Sequence, residues 1–192
     1  MSTTAASRSS AGQGRREIRP TGVERTFGAD ELIVSKTDTR GVITYANDVF
    51  CRISGYSAEQ VLGQPHNLIR HPGMPRAVFA LLWSELGAGR EVFAYIDNLA
   101  ADGASYWVLA HVTPSRDAGG RVVGYHSNRR KPHPAGIAAV KPLYERLLAE
   151  ERRHPGAKAA TAAGSALLAE LLAERGRGYE EFIWSVIPEE LS

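Results

Sequence analysis

Thirteen residues, Gly63-Gln64-Pro65-His66-Asn67-Leu68-Ile69-Arg70-His71-Pro72-Gly73-Met74-Pro75, constrain the fold more than any other stretch. Pro72, Gly73 and Pro75 forbid a long helix here, because proline lacks an amide donor and glycine favours turns. Pro75 instead suits a helix start. The flanks therefore fold as separate blocks. Upstream, Leu32–Ser35 and Val42–Tyr45 are short branched runs around the turn Asp38-Thr39-Arg40-Gly41, the pattern of a hairpin. Asn47-Asp48 offers a cap for a short helix over Val49–Ile53, which Gly55 ends. Ser57-Ala58-Glu59-Gln60 has the form of a capping box. Downstream, residues 76–87 carry Val78, Phe79, Leu81, Leu82, Trp83 and Leu86 at helical spacing. Three strand-like runs follow, over 92–96, 106–112 and 122–127, separated by turns at Asp102-Gly103 and Asp117-Gly120. Two strands, short helices and three strands predict an α+β domain: a five-stranded antiparallel sheet with short helices across one face.

The ends read differently. Residues 1–24 are small, polar and basic at the start, with Arg8, Arg15, Arg16 and Arg19, and are expected to form a disordered tail. Residues 25–132 make the predicted domain. Residues 133–192 form a helical extension: Pro142–Arg152 with Leu143, Leu147 and Leu148 on one face, an Ala-rich helix over 158–174, and a short helix over 179–187. Phe182, Ile183, Trp184 and Ile187 then either pack back on those helices or dock in a partner's groove.

Composition removes several classes. With 23 basic and 21 acidic residues there is no basic field of the kind that binds nucleic acid. One cysteine, Cys51, excludes an intramolecular disulfide and a thiol-rich metal site, and its apolar neighbours point to core packing. No apolar run reaches the ~18–20 residues that span a bilayer, and the N-terminus has no signal-like apolar core, so a cytoplasmic location is expected. No Gly-rich phosphate loop, paired carboxylates or nucleophile elbow appears, so no enzyme is expected.

Gly41-Val42-Ile43-Thr44-Tyr45-Ala46-Asn47 and Ser54-Gly55-Tyr56-Ser57 resemble the start of a PAS domain. The Gly63–Pro75 phrase, Tyr106-Trp107-Val108 after Asp102-Gly103, Val112-Thr113-Pro114 and Gly124–Pro132 resemble the PAS domain of bacterial aerotaxis receptors. The resemblance covers residues 27–131. It implies a redox or oxygen sensor that holds FAD non-covalently and signals through protein–protein contacts. The matching pocket positions are His66, Asn67, Arg70, His71, Trp83, Asn98 and Trp107. Arg70 suits a pyrophosphate, and Asn98 offers both donor and acceptor to a ring edge. This chain departs from the family at Val92, where a tryptophan is usual, and at Asp97 and Leu99, where basic residues are usual. Two alternatives stand beside FAD: a heme with His66 or His71 as axial ligand, His71 preferred, and Met74 as a second, and a cofactor-free interaction module. The resemblance also implies a homodimer and a signalling partner such as a chemoreceptor or histidine kinase. Arg129-Arg130-Lys131 reads as a solvated strand end.

Overall fold

The computed structural model describes residues 18–187. Strands β1 (Ile33–Thr37), β2 (Ile43–Ala46), β3 (Val92–Leu99), β4 (Ser105–Arg116) and β5 (Val122–Arg130) form one sheet in the order β2-β1-β5-β4-β3. Every pairing is antiparallel. Between β2 and β3 lie α1 (Asp48–Ser54), α2 (Ala58–Val61), a 3-10 turn (His66–Ile69) and α3 (Arg76–Gly87). The extension holds α4 (Pro134–Glu151), α5 (Ala157–Glu174) and α6 (Tyr179–Val186). This is the expected α+β architecture.

Local chemistry explains the short helices. Asn47 caps α1 by accepting from the Phe50 amide, while its amide group also bridges Val34 and Leu32 of the first strand region. Ser57 and Gln60 form the reciprocal capping box of α2. Around the prolines only one turn of 3-10 helix forms, and α3 starts immediately after Pro75.

Three expectations change. Thr21 to Arg25 is hydrogen-bonded along Gly103 and Ser105, so this part of the predicted tail belongs to the domain; residues 1–17 lie outside the described residues. β4 runs through Pro114 to Arg116 instead of ending near Val112. β3 stops at Val92 opposite Val112, so the missing Pro114 amide costs no ladder bond on that side. Helix α4 begins at Pro134, capped by His133, and keeps Pro142 inside it. Proline tolerated within a helix hid the true start.

The sheet's two faces are covered differently. Alternation along β4 sends Tyr106, Val108, Ala110 and Val112 inward and Trp107, Leu109 and His111 to the other side. On that outer side Trp107 stacks on Tyr144 of α4, ring centres 6.4 Å apart, and Phe93 meets Trp184 of α6 at 4.7 Å. Tyr144 donates its hydroxyl proton to the Tyr95 carbonyl at 2.8 Å. Phe182, Ile183 and Ile187 are buried in this packing. Helix α5 packs on α3.

Candidate functional site

Register puts a set of small and polar side chains on the inner face. Asn98 is opposite Tyr106, Ala110 opposite Arg129, and Ser127 opposite both Ser35 and Val112. Between this patch and α3 lies a cavity of about 460 Å³, within the range of small-molecule sites. Ile96, Ala110, Val112, Leu82, Leu86 and Phe79 supply its apolar walls. Ala110 leaves space that a larger residue would fill. Trp83, 42% exposed, stands at the mouth, edge-on to Tyr125 at 5.5 Å. Gly41 makes room for that indole: its φ is +80°, and an added Cβ would lie 3.0 Å from the ring.

Arg129 is the most unusual lining residue. It is only 4% exposed. Its guanidinium donates from both terminal nitrogens to Ser35 Oγ at 3.1 Å, and from Nη2 to His66 Nε2 at 2.6 Å. Guanidinium has no acceptor, so His66 accepts at Nε2 and keeps its proton on Nδ1. Burial and the adjacent Arg129 push the His66 pKa well below its usual value. Burial also lowers Arg129 to about 10, so it stays a cation at neutral pH. No carboxylate within ion-pair distance balances it among the described residues. Buried charge is normally paired.

The rest of the lining has the same bias. Arg40, Arg70, Arg76 and Arg129 face the cavity, and no aspartate or glutamate does. Arg40 is committed to Asp38. Arg70 lies over the Phe79 ring at 4.1 Å and donates to the Met74 carbonyl at 3.1 Å. Its backbone bridges to Asn98 on the free edge of β3. Two buried polar atoms, Asn98 Nδ2 and Ser127 Oγ, have no hydrogen-bond partner. Such atoms are costly unless something meets them.

Of the predicted site residues, His66, Asn67, Arg70, Trp83 and Asn98 line the cavity. His71 and Trp107 do not. His71 turns away, accepting from the Gly73 amide at 3.0 Å, with Nδ1 3.6 Å from Asp97 Oδ2. Trp107 pairs with Asp97, one residue out of phase with Asn98, and so faces α4. Met74 is buried and its sulfur accepts from the Asp97 amide at 3.3 Å. The reading of Arg129 as a solvated strand end is corrected by its burial; Arg130 next to it is exposed. Sequence reasoning also missed Ser35, Ser127 and Arg76. The alternation Tyr125, Ser127, Arg129 was the available signal, but it needed the register of β5 against β1 and β4.

The PAS fold family matches residues 33–127. The aerotaxis receptor of Escherichia coli is 41% identical over 130 residues, covering 66% of this chain and 26% of the receptor. A nitrogen fixation regulatory protein of Klebsiella pneumoniae is 35% identical over 99 residues, covering 52% of this chain and 20% of that protein. Among solved structures, the dark structure of the blue-light photoreceptor Aureochrome1 LOV is 26% identical, with a TM-score of 0.49 and coverage of 62% of this chain and 84% of that one. The chain thus spans about a quarter or less of the length of these two curated relatives. Through residues 33–127, and with a domain similar to that of the aerotaxis receptor, this chain belongs to the PAS-fold family.

Proposed function

We propose that the chain is a redox or oxygen sensor that holds FAD in the cavity between the sheet and α3, and that it signals by protein–protein contact. The observation that carries this reading is the charge of the lining: Arg70, Arg76 and Arg129 face the cavity with no carboxylate in ion-pair distance among the described residues, Arg129 of them buried, beside the unmatched Asn98 Nδ2 and Ser127 Oγ. An anionic ligand with a polar-edged aromatic ring fits that donor set, and the apolar walls suit the ring faces. Arg70 and Arg76 stand where a diphosphate would meet positive charge, which answers the loss of basic residues at Asp97 and Leu99. Asn98, Ser127 and Arg129 would take the ring's polar edge. Bound flavin supplies electron-transfer chemistry whose state reports the electron supply.

The relatives support a signalling role: one is named an aerotaxis receptor, and others are named blue-light-activated histidine kinases. In this reading the partner is a chemoreceptor, a histidine kinase or a second copy of the chain, the location is cytoplasmic, and no catalysis is involved. No described helix is long and apolar enough to cross a membrane. The heme alternative loses its preferred ligands, because neither His71 nor Met74 lines the cavity, and the Nε2 of His66, which does, is taken by Arg129.

The test is an absorbance spectrum of freshly purified protein, with chromatography of any chromophore released by heat. Flavin bands and released FAD are expected. A heme spectrum, or a colourless protein that takes up no added FAD, contradicts the proposal; the latter favours a cofactor-free module.

A further inference from the structure

Helix α3 forms one wall of the cavity, yet its N-terminus is capped from outside the PAS domain. Pro75 at the N-cap makes no side-chain cap hydrogen bond. The first amides of a helix have no partner within it. Here the Arg76 amide donates to Glu151 Oε2 at 2.9 Å and the Ala77 amide to Glu151 Oε1 at 2.9 Å. Glu151 is the last residue of α4 and only 6% exposed. No cation lies within ion-pair distance of it among the described residues. Its charge is met by the start of α3, with Arg70 attracting it from farther off.

Helix α5 closes on the same point. A Cβ on Gly164 would lie 2.6 Å from Glu151 Oε1 and 3.2 Å from the Ala77 Cβ, so only glycine lets α3, α4 and α5 meet there. One turn earlier on α5, Thr161 lines the cavity beside Arg76 and Ala80. The extension lies outside the matched residues 33–127, but it both fixes the cavity wall and forms part of its mouth.

We infer that the α4–α5 hairpin is the element that reads the cavity: Glu151 is a positioning residue tying it to the first turn of α3, and Thr161 places α5 at the ligand's entrance. The tie behaves as a latch. A buried carboxylate held almost entirely by two backbone amides cannot follow a moving helix by small degrees, since a lost bond leaves buried charge unmatched. A shift of α3 on ligand binding therefore loosens the hairpin as a unit, and by linkage the docked hairpin changes ligand affinity by the same factor. This rests on the proposed ligand only for the identity of the occupant.

Amide exchange on the full chain tests the latch, with FAD as the probe. Adding FAD is expected to change exchange at Arg76, Ala77 and the α5 amides severalfold. In Glu151→Ala the α5 response disappears and FAD affinity changes by about 5-fold or more, within the usual span of coupling. Glu151→Gln, which keeps one acceptor oxygen, retains part of the response. Equal FAD affinity in wild type and Glu151→Ala, with α5 exchange unmoved by FAD in wild type, overturns the inference. A chain that takes up no FAD overturns the flavin proposal instead. A ligand-free arm then decides the latch: Phe79→Ala, on the cavity side of α3, is expected to speed α5 exchange in wild type and not in the Glu151→Ala background. Additive effects in that cycle contradict the coupling.

Discussion

The two faces of the sheet carry residues from the same strands and end in opposite states. On the outer face Phe93, Tyr95 and Trp107 are met by Trp184, Val186 and Tyr144, and the Tyr144 hydroxyl has its acceptor. On the inner face, one residue along each strand, Ala110 leaves space, Arg129 lacks a counter-ion, and Asn98 and Ser127 keep unmatched polar atoms. The outer face is largely covered by the chain's own aromatic side chains; the inner face keeps the open space and the unmatched donors that the proposed ligand would meet. Stability should therefore respond to the outer face and ligand binding to the inner one.

The largest effect is expected at Tyr144, buried at 3%. Tyr144→Ala removes the ring against Trp107 and the bond to the Tyr95 carbonyl, and should cost ~3–5 kcal/mol in chemical denaturation. Tyr144→Phe, which loses only the hydroxyl, should cost about 1–2 kcal/mol.

Asp97 comes next and gives a pH signature. It shares the outer parity of Trp107. Burial raises its pKa from 3.8 to about 7, with Glu24 adding to the rise and Lys141 opposing it. The folded chain thus holds this proton more tightly than the unfolded chain. Its contribution to stability is complete below the ordinary value and is lost as pH rises through about 7. Asp97→Asn should flatten that fall, stabilising the protein by on the order of 1–4 kcal/mol at pH values above 7 and little in acid. Thermal melts across pH check it; a wild-type profile without that decline contradicts the assignment.

What the sequence revealed depended on range. Asn47, Ser57 with Gln60, and Pro75 act within a few residues, and their roles were readable without a structure. The succession of elements along the chain followed from where the prolines and glycines fall, but the order of strands within the sheet did not. The site was half legible. His66 and Arg70 lie in the family phrase and Asn98 came from the resemblance as a pocket position, but Trp107 was misplaced because its face is set by pairing with Asp97, a contact between strands. Arg129 hid in a basic run whose neighbours are solvent-exposed. The docking of Glu151 on α3 joins residues 75 apart, and no local pattern announces it.

Smaller effects belong to the inner face. Asn98→Ala removes a donor that has no partner in the chain, so the unliganded fold should keep its stability, while FAD binding weakens by about 1 kcal/mol, or ~5-fold. Isothermal titration alongside denaturation separates the two. The smallest effects on ligand are expected from His71→Asn and Trp107→Phe, which lie outside the cavity and should leave FAD affinity within about 2-fold, a few tenths of a kcal/mol. A large loss from either would move the site toward the outer face.

Ala110 offers the most direct measurement, because it is the small residue that keeps the inner face open. FAD titrated into ligand-free wild type and Ala110→Leu, followed by quenching of flavin fluorescence and paired with thermal melts, tests whether the ligand site is this cavity. Saturable binding to wild type is expected, with binding lost in Ala110→Leu while its ligand-free stability stays within about 1 kcal/mol of wild type, since the new side chain enters existing space. Equal binding by both proteins would contradict a ligand site between the sheet and α3.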